Sequence, residues 1–265
     1  MTQCKNCSTA FEGKFCPDCG QKAKTGRITL GQVVKDLQNQ VFHFEEGFLF
    51  TIRELVRRPG LMVAAYLAGK RAKHVKPIKF LVWTTAISFL FLHLIGFQEL
   101  MLKQVKAQQQ LQDNSSTMNS AVKINEWINA HPSLLMLFTV PFIALASWLL
   151  FRKKGYNYAE HFTGVAYLMG MLNVFAIFFT ILYACFSHLP IDQLAMIGTV
   201  QWIFYLIFYG WACTQWFSAK KPFWVGVKGA LVVLLGYVFL ILVMSVLIAT
   251  LLPLFKPQIE AWLAK

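Results

Sequence analysis

A chain of 265 residues that is 57% hydrophobic and only 14% charged, with a mean hydropathy of +0.51, is too apolar for an ordinary soluble domain, where about a quarter of residues are charged. The formal net charge of +13 would suit nucleic acid, but most of the basic residues flank apolar runs, as membrane proteins place them on the cytoplasmic side. Nucleic-acid binding is therefore not expected.

Charge gathers in residues 1–79 and the apolar runs in 80–254, which reads as a small head followed by a membrane domain. The chain opens with polar residues and cysteines rather than a basic start and a short apolar core, so no signal peptide is expected. Insertion would then rest on the first transmembrane helix.

Residues 1–26 carry two CxxC pairs, Cys4-Lys5-Asn6-Cys7 and Cys16-Pro17-Asp18-Cys19, with Gly20 after the second. Each such turn aims two sulfurs at one point, and two turns complete a tetrahedron around Zn2+ at about 2.3 Å per bond. Gly20 suits the tight turn that folds backbone amides onto the thiolates. A reducing cytosol argues against disulfides, and so short a segment buries too little to fold without metal. Four thiolates leave no open coordination position, so the expected role is structural. Iron in a rubredoxin-like site is the rival metal for the same ligands.

Residues 27–79 form a basic amphipathic stretch. Ile28, Leu30, Val33, Val34, Leu37, Val41 and Phe44 recur at helical spacing. A second apolar run, 48–56, ends at Arg57-Arg58-Pro59-Gly60, where Pro59 can open a new helix at its first position. The apolar run 61–68 is too short to span and stops at Gly69. Lys70, Arg71, Lys73 and His74 follow. This pattern predicts helices lying at a membrane surface, with Arg57, Arg58, Lys70, Arg71 and Lys73 touching anionic lipid or a protein partner. The alternative is that the helices pack on the membrane bundle and the charges only set topology.

Five runs are long and apolar enough to be read as transmembrane helices: 80–97, 132–151, 162–186, 195–217 and 227–255. With five crossings, 20 of the 25 Lys and Arg fall on one side, which predicts a cytoplasmic N-terminus and an external C-terminal tail, 256–265. The long external connection, 98–131, is rich in Gln, Asn and Ser, with apolar residues at near-helical spacing that predict short surface helices.

Ionisable groups inside these runs are few. His93, Asn173 and Gln201 are the candidate intramembrane polar site, and for Asn173 an interhelical hydrogen bond is the preferred reading over a substrate contact. Ala166 and Gly170, four apart, predict close packing of the third span. Glu160 and His161 could join Lys153 and Lys154 in an inner ion-pair cluster, while Cys185 and Cys213 read as small apolar fillers. No metal-hydrolase, nucleophile-elbow or phosphate-loop pattern is present, so a membrane-embedded enzyme is only the third reading, after a scaffold and a transporter.

The ribbon, Arg27-Ile28-Thr29-Leu30, the run from Phe44 to Thr51, Arg58-Pro59-Gly60, and the Tyr66 to Arg71 segment followed by Pro77 together resemble a family of bacterial membrane proteins of unknown function. The likeness covers about residues 1–85. It departs at His74-Val75-Lys76, where the family pattern has an aromatic. The resemblance implies a bacterial inner-membrane location and several transmembrane helices, and lends no reaction. The expected architecture is an all-α, multi-pass integral membrane protein with a zinc ribbon at its N-terminus. The expected function is a membrane-anchored scaffold or regulator that recruits a protein partner or anionic lipid. The alternative is a transporter or channel for a small or lipidic solute. Partner identity and oligomeric state are not encoded in any motif.

Overall fold

The computed structural model describes residues 1–33, 47–97, 132–189, 191–217 and 221–263. The predicted amphipathic helix beyond Val33, the connection 98–131 and the end of the tail lie outside the described residues.

The chain begins with a two-stranded antiparallel pair, β1 (Thr2–Gln3) and β2 (Ala10–Phe11), which pairs Thr2 with Phe11 and Gln3 with Ala10. Two juxtamembrane helices follow, α1 (Gly47–Arg57) and α2 (Pro59–Ala68), and then α3 (Pro77–Leu94) and α4 (Pro132–Leu150). A 3-10 turn, Arg152–Lys154, leads to α5 (Tyr158–Cys185), α6 (Ile191–Trp216) and α7 (Pro222–Leu263).

The helix starts follow from local chemistry. α2, α3, α4 and α7 each open on proline, whose fixed φ and missing N–H suit the first helical position. α5 opens with a capping box: the Asn157 side chain accepts from Glu160 N, and the Glu160 carboxylate accepts from Asn157 N. Gly69, at φ 113°, stops α2, and its N–H and that of Lys70 return to the carbonyls of Tyr66 and Ala65.

Four helices are long and apolar enough to cross a membrane: Pro77–Leu94, Tyr158–Cys185, Gln193–Trp216 and Pro222–Val246. α4 is equally apolar but shorter in the part whose side chains are described, Leu137–Leu150. α7 continues as helix to Leu263, past the expected end of the fifth run at residue 255.

α5 is the most buried candidate span and packs against α3, α4 and α6. The close approaches are made at glycine: the Phe80 ring lies over Gly170 and the Trp216 indole over Gly164. α6 and α7 meet where a Cβ on Gly210 would lie 2.8 Å from Gly226 O. α1 and α2 pack on this bundle, with Leu55, Met62, Val63 and Tyr66 buried in the same core as α5 and α6. That is the arrangement in which the short helices join the bundle. Their apolar faces find α5 and α6 because a tight helix crossing is open at Gly60.

Candidate metal centre and its dock on the bundle

The two knuckles are built alike. Cys4 N donates to Thr9 O, and Ser8 N to Cys4 O. In the same pattern, Cys16 N donates to Gln21 O, and Gly20 N to Cys16 O. The residue after each second cysteine takes the left-handed conformation, Ser8 at φ 66° and Gly20 at φ 70°. The sequence pointed to Gly20 and missed its counterpart Ser8.

All six cysteines are free. The four ribbon sulfurs lie within 4.8 Å of one another, with Cys7 and Cys16 at 3.5 Å and Cys4 and Cys19 at 3.6 Å. A tetrahedron with bonds of about 2.3 Å needs sulfur pairs about 3.8 Å apart. The donor set therefore fits one metal ion with all four positions filled. Hydrogen bonding with Thr9, foremost at its side chain, lowers the Cys7 thiol to about 6, while burial pushes Cys16 up to about 11. Cys4, Phe11 and Cys16 make a small core of their own.

The ribbon is fastened to the helices by specific contacts. The Gln21 carboxamide oxygen accepts from the backbone N–H groups of Arg71 (2.9 Å) and Ala72 (3.2 Å). Within the ribbon itself, Lys5 Nζ donates to Thr25 O. Arg27 makes a paired contact with Glu160, Nε to Oε1 at 2.9 Å and Nη2 to Oε2 at 2.8 Å, and reaches Gly155 O as well. The adjoining carboxylate holds Arg27 above its ordinary pKa. Glu160 thus pairs with Arg27, while Lys154 Nζ donates to Phe217 O at the end of α6.

The basic residues singled out in the sequence divide into three groups. Arg58 pairs with Glu54 across one helical turn, and with Lys70, Lys73, His74 and Asn6 it lines a cavity of about 420 Å³. Burial lowers the pKa of His74, whose ring meets Phe50 at 5.2 Å. Arg71 is half-buried: its guanidinium donates to Tyr66 O and Gly26 O and sits over the Tyr66 ring. Arg57 is exposed and lines neither this cavity nor the second one described below.

The three intramembrane candidates are not brought together. Asn173 Nδ2 donates to Thr85 Oγ1 at 2.9 Å between α5 and α3, the interhelical hydrogen bond expected of it. Gln201 bonds Tyr205, whose hydroxyl donates to Leu172 O. His93 is exposed on the last turn of α3. Cys213 is buried in the core, whereas Cys185 is exposed.

A fully buried polar pair went unseen in the sequence: Ser147 Oγ and His161 Nδ1 lie 2.9 Å apart, beside Trp216. The two residues come from different helices at unrelated spacing, so no linear signal marks them.

A family model described as Protein of unknown function (DUF3667) matches residues 45–89. The match covers α1, α2, the turn that holds Arg71, and most of α3. No match is found among curated proteins or among solved structures.

Proposed function

We propose that the chain is a membrane-anchored scaffold or regulator of a bacterial inner membrane, which recruits a protein partner or anionic lipid at its ribbon end. The four cysteines would hold Zn2+ as a structural ion, since a closed tetrahedral set of four thiolates leaves no open coordination position, with iron as the rival metal for the same ligands. Five crossings would place the ribbon in the cytoplasm and the C-terminus outside.

The observation that carries this reading is the dock. Gln21, Arg27 and Arg71 fix the ribbon to the helix ends through directional bonds, while Phe15 of the ribbon stays 56% exposed. A ribbon held on an anchored bundle, with an exposed aromatic, suits recruitment. Transport through the bundle is the weaker reading, since Asn173 bonds Thr85, Gln201 bonds Tyr205 and His93 faces outward.

A photo-reactive amino acid at Phe15, activated in native membranes, tests recruitment. The expected result is a discrete heavier adduct that disappears when Cys16→Ser removes the metal and unfolds the ribbon. A chain that forms no adduct, or an adduct indifferent to Cys16→Ser, would remove the proposal.

A further inference from the structure

A second cavity, of about 430 Å³, opens where the ribbon meets the starts of α3 and α5. Its charge is of one sign. Lys22, Lys24, Arg71 and Lys76 line it, and no carboxylate does. Lys22 and Lys24 are exposed and have no side-chain partner among the described residues. Two hydroxyls also reach it, Thr25 Oγ1 and Thr163 Oγ1, each buried and without a hydrogen-bond partner. Thr163 is 0% exposed, so this orphan is not satisfied by bulk solvent. Pro77, the first residue of α3, adds the positive end of a helix to the same wall. Ile28, Val33 and Ile78 give the cavity an apolar side, and Gln21 and Gln32 line it as well.

Cations and hydroxyl donors facing an apolar wall are what a phosphate group on a hydrophobic tail requires. The level is also right. Pro77 and Tyr158 begin two candidate spans, and Thr163 lies in the second turn of the latter, so the cavity sits where helices leave the headgroup region for hydrocarbon. We infer that this cavity binds the phosphate headgroup of an anionic membrane amphiphile, with Lys22 and Lys24 pairing the phosphate and Thr163 donating to it. The inference rests on the recruitment reading and gives its lipid arm a location.

The test uses the full chain, with its metal, in nanodiscs of phosphatidylcholine containing a minor share of phosphatidylglycerol. Lipid retained on release into detergent is counted by native mass spectrometry. Wild type should keep one phosphatidylglycerol. Lys22→Gln and Lys24→Gln should each weaken retention about fivefold. Thr163→Val, which preserves shape, should weaken it while metal content stays at one equivalent. Lys153→Gln, a basic residue outside the cavity, should leave it unchanged. Equal loss in Lys153→Gln would mean surface charge alone and overturn the site. Saturation by inorganic phosphate with no preference for the lipid would overturn the amphiphile as ligand. Neither failure touches the Phe15 crosslink, which reads a protein adduct rather than retained lipid.

Discussion

Ser8 and Gly20 hold equivalent places in successive knuckles, both left-handed, and only one is the residue that takes this conformation freely. An L-residue there gives up about 1–2 kcal/mol, and glycine returns about 0.5–1 of that through its greater freedom when unfolded. Because metal binding and folding are one event in so small a unit, the difference should appear as affinity. Ser8→Gly is expected to hold metal roughly two- to fivefold more tightly against a competing chelator, and Gly20→Ser to hold it more weakly. Equal affinities in both variants would show that the turns are not under this constraint. The four cysteines were legible because thiolate ligands at CxxC spacing have one dominant use in a reducing compartment. Ser8 was not, since its conformation is imposed by the return of its N–H to Cys4 O rather than by its side chain.

At the scale of elements, the edges of α2 could be read and its neighbours could not. Pro59 and Gly69 mark its ends through their own backbone preferences, which act locally. Its partner α6 lies far along the chain, and the contact depends on Gly60 meeting the backbone of Ala212 and Trp216. The Arg27–Glu160 pair is hidden for the same reason: its residues are 133 positions apart. Arg71 reads by composition only as a surface cation, whereas two carbonyls and one aromatic face fix its guanidinium at the rim of the second cavity. The α2–α6 crossing gives a direct prediction. In Gly60→Ala the new methyl would fall on Ala212 O and Trp216 N, both backbone, so the helices must separate. A loss of about 1–3 kcal/mol is expected, read as a lower thermal midpoint in detergent. Gly26→Ala, which meets nothing within 4 Å, should leave that midpoint in place. If the two variants melt alike, the close crossing is not what holds α2 on the bundle.

For the whole molecule, the decisive helix is α4, of which Leu137–Leu150 is the apolar part with described side chains. The contacts at its end bear on whether it crosses. Phe151 stacks on Phe217 at 4.1 Å, Lys154 bonds Phe217 O, and Arg27 bonds both Gly155 O and Glu160. The ribbon, the α4–α5 junction and the end of α6 therefore gather at one end of the bundle. At the other end Phe97 meets Tyr183, and the Tyr183 hydroxyl lies 2.5 Å from a Cβ built on Gly198. If α3 spans, a crossing by α4 would bring the chain back to the end at which Arg27 lies. The same arrangement puts Arg152, Lys153 and Lys154 beside the basic N-terminal region, which is how charge sidedness was read from the sequence. Single-site labelling with a membrane-impermeant maleimide, in a Cys185→Ser background, tests this in intact cells. Ser187→Cys should label at once. Lys153→Cys, like the ribbon thiols, should label only after permeabilisation. Labelling of both positions from the same side would mean that α5 does not cross, and the alternation of helices through the bilayer would have to be abandoned.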